Sequence, residues 1–302
     1  MKQARKRTNG MTRHMLVMPV FLVAVVALVL GAFAPELWAR GERHHNDDGE
    51  EMSFEVAEIY FELNDTDEDL GIHALVDGEP WKRIKIEGPN ERVLLIVSAW
   101  SRLRRQGLTE LFFESAEPPF ESDDPEEVTL TPEQFFQRFP EGTYEIEGRT
   151  LEGDELESEV EVTHVMPAPP EPTVNGFDMA VQCDEEEPDY DATEVSGPVT
   201  IAWPAVTMSH PNEEGGGAGV QPPVPVTIVN YEVVVEVELE VDGEEFTSVF
   251  SVVLPPDEMS VTIPEEFIAL GDTFKYEVLA REESSNQTAV ESCFVIEEEN
   301  EE

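Results

Sequence analysis

Basic residues and cysteines are what this chain has least of. Across 302 residues, Lys and Arg total 18 against 67 Asp and Glu, a formal net charge of −49. So little positive charge argues against nucleic acid and anionic lipid surfaces as partners, since both are held by basic patches. Cationic surfaces, divalent ions or a salty medium remain, and a solvated acidic surface suited to high ionic strength is the plainest account of the acids. The two cysteines, Cys183 and Cys293, permit one disulfide or two free thiols, because sequence does not reveal pairing geometry. No histidine lies near either, which argues against cysteine catalysis. A nucleophile elbow, a phosphate-binding glycine loop and zinc-ligand spacing are also missing. Carboxylates that could pair for glycoside hydrolysis abound, but abundance outside a shaped, partly apolar cleft is no evidence for an enzyme.

Long apolar runs are equally scarce, with one exception. Met15–Ala34, "MLVMPVFLVAVVALVLGAFA", carries no charge and follows a flank with Lys2, Arg5, Lys6, Arg7 and Arg13. That is the layout of a secretion signal or signal anchor. About 20 residues suffice to cross a ~30 Å hydrocarbon layer as a helix. The expectation is a signal peptide or signal-anchor helix over 1–39, with everything after it periplasmic or extracellular. If uncleaved, residues 15–34 anchor the chain in the inner membrane, its sole membrane contact.

Polar "RGERHHNDDGEE" makes 40–51 a stalk, Pro-rich "MPAPPEPTVNG" makes 166–176 a semi-rigid linker, and 298–302 is an acidic tail. Domains are therefore expected over 52–165 and 177–297. Between the breaks the pattern is β. In "NYEVVVEVELEVDG", Tyr231, Val233, Val235, Val237, Leu239 and Val241 share one face, and Glu232, Glu236, Glu238 and Glu240 the other, interrupted by Val234. Asp242-Gly243 supplies a tight hairpin turn, and the return strand points Phe246, Phe250, Val252 and Leu254 inward. An analogous turn is expected at Asp77-Gly78. "TPEQFFQRF" reads as a short helix: Thr131 caps it, Pro132 opens it, and Phe135, Phe136 and Phe139 pack it down. A closing hairpin over Gly142–Val165 turns Tyr144, Ile146, Val160 and Val162 inward. The Gly- and Pro-rich stretch Ser209–Val226 reads as a long loop between strands.

From about Gly197 to Ile296 the chain resembles a fibronectin type III domain. The resemblance rests on Trp203 in "PVTIAWPAV", Tyr231 in "IVNYEVVV", and "IALGDTFKYEVLA" with Ile268, Gly271, Phe274, Tyr276, Val278 and Ala280. Leu270 replaces a usual proline, and Phe274 replaces the corner tyrosine, removing its hydroxyl. The preceding region looks like a bacterial immunoglobulin-like domain, mainly through its closing hairpin. The fold these resemblances imply is all-β, two β-sandwiches in tandem. They mark fold and say little about function.

Two clusters are candidate sites. In "NDTDEDLG", Asp65, Asp67 and Asp69 alternate before Gly71, a spacing of hard oxygen ligands that suits Ca²⁺ or a solvated turn. The tip "REESSNQT", with Arg281, Glu282, Ser284 and Asn286, joins the last two strands, where sandwiches place binding residues, or is a plain polar hairpin. The expected function is non-enzymatic: contact with a protein or glycan in the cell envelope. The alternatives are a purely structural spacer or a carbohydrate-active enzyme.

Overall fold

The computed structural model describes residues 52–122, 124, 128–183, 190–211, 223–241 and 243–297. The apolar segment 15–34, the stalk and the acidic tail lie outside these residues. Among the described residues no helix is long and apolar enough to cross a membrane.

The described chain is mostly strand, in agreement with the period-2 pattern. In its first half run β1 (Val56–Asn64), β2 (Asp69–Gly88), β3 (Arg92–Ser98), α1 (Ser101–Gln106), β4 (Leu108–Glu114), α2 (Pro132–Arg138), β5 (Gly142–Thr150) and β6 (Glu155–Val162). The second half holds β7 (Thr173–Val174), β8 (Thr193–Val195), β9 (Thr200–Ala202), β10 (Ile228–Val241), β11 (Glu244–Leu254), β12 (Ser260–Thr262), α3 (Glu265–Ile268), β13 (Thr273–Glu282) and β14 (Gln287–Ile296).

The expected turn at Asp77-Gly78 does not form. β2 continues through it for 20 residues, pairing with β1 and β4 along its first part and with β3 and β5 along its second. A primed hairpin turn requires positive φ at its central residues, and Gly78 has none. Register shifts on either side of Trp81 bend the strand from one layer into the other. Trp81 thereby becomes fully buried between the layers, with Ile59, Phe61, Ile84, Ile86, Tyr144 and Ile146. Helix α2 closes this core as its sequence implies. Thr131 Oγ1 accepts from the Gln134 backbone N–H at 3.4 Å, and the rings of Phe135 and Phe61 meet edge to face at 5.3 Å. In the β5–β6 hairpin Tyr144, Ile146 and Val162 are buried and Val160 packs beside them.

In the second half a three-stranded sheet, β12-β9-β7, lies apart from the strands β11-β10-β13-β14. Trp203, Tyr231 and Phe274 share the interior between them, with Trp203 and Tyr231 rings 5.3 Å apart and Phe274 stacked on Phe294 at 5.0 Å. The Tyr231 hydroxyl accepts from Val206 N–H at 2.9 Å, so a tyrosine hydroxyl does tie a loop down, at a position other than the missing corner one. Cys183 and Cys293 are joined by a disulfide, with Cα atoms 5.7 Å apart. The β10–β11 hairpin outruns the core. Val241 and Phe246, both expected inside, are 54% and 48% exposed near its tip.

The two halves are not beads on a spacer. β1 pairs in parallel with β14, Glu62 to Gln287, Leu63 to Thr288 and Asn64 to Ala289, so one sheet of 11 strands runs through both. The Pro-rich segment 166–176, expected to be a linker, is built in. Met166 is fully buried in the first core, Val174 lies in the second, and the Pro167 carbonyl accepts from Thr288 Oγ1 at 2.7 Å. Proline's missing N–H lets such a segment lie against packed strands without orphaning a donor.

Candidate functional site: the junction face

Both candidate clusters from the sequence meet at this junction. Asn64 and Asp69 are paired residues of the β1–β2 hairpin, so Asp65–Glu68 form its loop. Asn64 Oδ1 accepts from the N–H groups of Thr66 and Asp67, at 3.0 and 3.2 Å, which shapes the loop locally. The loop then docks on β14. Asp65 N–H donates to the Ala289 carbonyl at 2.9 Å, Glu291 N–H donates to Thr66 Oγ1 at 2.8 Å, and Asn64 Nδ2 donates to Glu291 Oε1 at 2.6 Å.

The three aspartates have different surroundings. Asp65 turns to His210 Nε2, 2.8 Å away; most of the Ser209–Val226 stretch, read from sequence as a loop, lies outside the described residues. Asp67 and Asp69 face the sheet, and burial raises both carboxyls. Asp69 reaches about 8, because Glu117, Asp67, Glu291 and Glu62 add their negative charge to the effect of burial. Gly71 does not turn the chain as expected. It sits inside β2, where a Cβ would overlap the Glu117 carboxylate. That carboxylate lies over the strand and pairs with His73 Nε2 at 3.1 Å. Burial alone would lower the His73 pKa, but the bond to Glu117 and the nearby charge of Glu62 raise it.

Across the junction, Glu277 and Glu291 are cross-strand partners on β13 and β14. Glu277 is 5% exposed, and its carboxylate makes no hydrogen bond or ion pair among the described residues. Its carboxyl is pushed well above the usual range by burial, then by Glu62, Glu291, Glu232 and Glu236. Glu291 is raised to about 7, by burial and then Asp67, with Asn64 and Lys275 opposing. Carboxylates from both sandwiches thus share one sheet face around a small apolar cluster of Val234, Leu279 and Ala289. The break in alternation at Val234 belongs to this second buried patch.

The tip expected to contact an outside partner is plugged into the first sandwich. Arg281 pairs with Glu58 at 2.6 Å and lies 4.7 Å over the Tyr60 ring. Glu282 is buried and accepts from Ser284 N–H at 3.0 Å, and Ser284 Oγ lies 3.2 Å from Thr163 Oγ1. Asn286, 1% exposed, satisfies three backbone groups of the other half. Its Oδ1 accepts from Phe61 N–H at 2.9 Å, and its Nδ2 donates to the Thr163 and Val165 carbonyls, each at 2.9 Å. A polar hairpin tip reads the same in sequence whether it faces water or another domain's backbone.

Sequence reading missed Glu62, His73, Glu117, Glu277 and Glu291. A signal existed, since "YEVLA" and "TAVESCF" put apolar residues on both faces of a strand, which marks strands covered on both sides. Elsewhere among the described residues, the oxygens of Glu87, Glu145 and Glu147 converge, but Lys85 Nζ already bridges Glu87 and Glu147 at 2.7 and 2.6 Å.

No protein-family model matches the chain, and neither does any curated protein. Solved structures with a detectable likeness include one described under host cell surface retention of a 1.5-MDa bacterial ice-binding adhesin, 8% identical with a TM-score of 0.20. Another is the BSP domain of a biofilm associated protein, at 10% and 0.21, and a third is a Ca²⁺-stabilized, ice-binding adhesin of an Antarctic bacterium, at 9% and 0.19. The likeness spans 82%, 82% and 81% of this chain but 66%, 30% and 50% of theirs. TM-scores this low carry no argument about function.

Proposed function

We propose that this chain is an exported, non-enzymatic β-sandwich protein that presents or spaces a binding surface in the cell envelope, with a protein or glycan as its partner. The parallel pairing of β1 with β14 carries the reading, because it joins two sandwiches into one stiff body. Interfaces between domains of one chain usually resemble transient contacts, and a shared sheet is a far stronger tie. We take the second sandwich to be of the fibronectin type III kind and the first to be immunoglobulin-like. A three-stranded sheet facing the strands β11-β10-β13-β14 and β8, with Trp203 and Tyr231 between the layers, supports the former. The apolar 15–34 segment with its basic flank supports export.

Spin labels at exposed Glu159 and Glu245, one on each half, test the stiffness in the full chain. A single narrow distance distribution is expected, and a broad one would remove the basis for a rigid spacer. A phosphatase fused at the C-terminus tests the export, with activity expected only outside the cytoplasm.

We further propose calcium as the ion for the junction face. Hard carboxylate oxygens from both halves suit it, and the carboxylate of buried Glu277 has no ion-pair partner there among the described residues. At low salt and pH 7.5, millimolar Ca²⁺ is expected to raise the melting temperature by several degrees, and Asp67→Ala with Asp69→Asn to abolish the rise. An unchanged melting temperature in the unsubstituted chain rules calcium out and leaves the spacer reading intact.

A further inference from the structure

Several strands of this sheet are paired on one side only among the described residues, β4 and β8 as well as β3 and β11. Two of these edges, one in each half, are opposite in charge: β3, which pairs with β2, and β11, which pairs with β10. Native edges are commonly blunted by lysine or proline, and neither strand contains one. Beside β3 the surface is apolar as well: Ile96 is 49% exposed, Leu103 48% and Trp100 73%. Helix α1 buries none of its residues. Arg92 opens β3, Arg102, Arg104 and Arg105 lie on α1, and none of the four forms an ion pair among the described residues. Four unpaired arginines are conspicuous in a chain with 67 acids. At the other edge the β10–β11 tip exposes Glu238, Glu240, Glu244 and Glu245 together with the apolar Val241 and Phe246.

We propose that copies of this chain associate head to tail, the β3 edge and α1 of one copy seated on the β11 edge of the next. Strand addition supplies partners for both rows of backbone groups, the exposed apolar side chains cover one another, and arginine meets glutamate. A lipid surface would accept Trp100 and the arginines but offers nothing to an open strand edge. Pairing of like edges sets arginine against arginine, or glutamate against glutamate, which is destabilising. Because the contact is heterologous, it extends to chains of copies instead of stopping at two. Each copy is strongly acidic, so association needs salt. At about 1 M the Debye length falls to ~3 Å, which removes long-range repulsion and leaves the apolar and short-range contacts.

The test uses the full chain in mild detergent at about 1 M salt. A variant Ile96→Cys and a variant Thr247→Cys, both at exposed positions, are mixed and oxidised. A mixed disulfide dimer is expected, neither variant alone should cross-link, and a chain carrying both should give a ladder. Arg102→Glu with Arg104→Glu should lower the yield about tenfold or more, as should Glu244→Lys with Glu245→Lys. Mixing those two charge-reversed chains should restore it. Cross-linking of Ile96→Cys with itself, a ladder that stops at two, or no cross-link at any protein concentration overturns the proposal. So does transfer of Trp100 into anionic vesicles without contact between chains.

Discussion

Asn286→Ala is expected to split the unfolding of this protein into two transitions. The side chain satisfies Phe61 N–H and the carbonyls of Thr163 and Val165, all belonging to the other sandwich. Alanine orphans three backbone groups at a site where Asn286 itself is 1% exposed. Each unsatisfied buried group costs about 1–3 kcal/mol, so for three groups the loss is on the order of 3–9 kcal/mol. That is comparable with the whole stability of an ordinary domain, about 5–15 kcal/mol. The loss falls on the junction and leaves each core intact, so the halves should lose their coupling before either loses its fold. Scanning calorimetry of the variant should show two peaks where the unsubstituted chain shows one. Thr288→Val, which removes a single bond to the Pro167 carbonyl, should cost only about 1 kcal/mol and keep one peak. An Asn286→Ala protein that melts in one transition near the original temperature would remove Asn286 as the tie.

The second large effect is an inverted dependence on pH. Most carboxylates stabilise a fold as they ionise, but those of the junction face do the opposite. Burial, followed by neighbouring acids, raises Asp69 to about 8 and Glu291 to about 7, and holds Glu277 well above the ordinary range. The folded chain therefore binds these protons more tightly than the unfolded chain does. The resulting penalty is absent below about pH 4, grows as pH rises, and is complete above about pH 8. His73, also raised, acts in the same sense, contributing most when protonated. A shift like that of Glu291 corresponds to about 3 kcal/mol. Asp69 adds less than its shift suggests, because solvent screens a partly exposed group. Taking the chain from pH 8 to pH 5.5 should raise its melting temperature by about 5–10 °C. Glu291→Gln with Asp69→Asn should raise the melting temperature at pH 8 and flatten the profile. A melting temperature that is level or falls toward pH 5.5 contradicts the buried-acid account.

Local features of the sequence carried a good part of this fold. The Thr131 cap and Pro132 announced α2, because a capping residue and a preset φ act within one turn. Alternation from Tyr231 to Leu239 announced β10, because side-chain direction reverses at each residue of a strand. The core shared by Trp203, Tyr231 and Phe274 was legible through a family resemblance. The turn at Asp77-Gly78 was misread because the same dipeptide serves a hairpin or a strand that crosses between layers. Tertiary context decides which, here through the burial of Trp81. The candidate site was half legible. Asp67 and Asp69 were singled out, but the acids that face them, Glu62, Glu117 and Glu291, come from elements as far as 224 residues away.

Composition and periodicity by themselves determined an acidic chain with an apolar segment near its start and alternating strands after it, since these depend on each residue and its near neighbours. The junction was decided only in three dimensions. The meeting of β1 with β14, the socket for Asn286 and the crowding of carboxylates on one face depend on which surfaces two separately patterned sandwiches bring together. A strand's unpaired edge offers the same row of backbone groups whatever its side chains, so sequence cannot say which other edge will claim it.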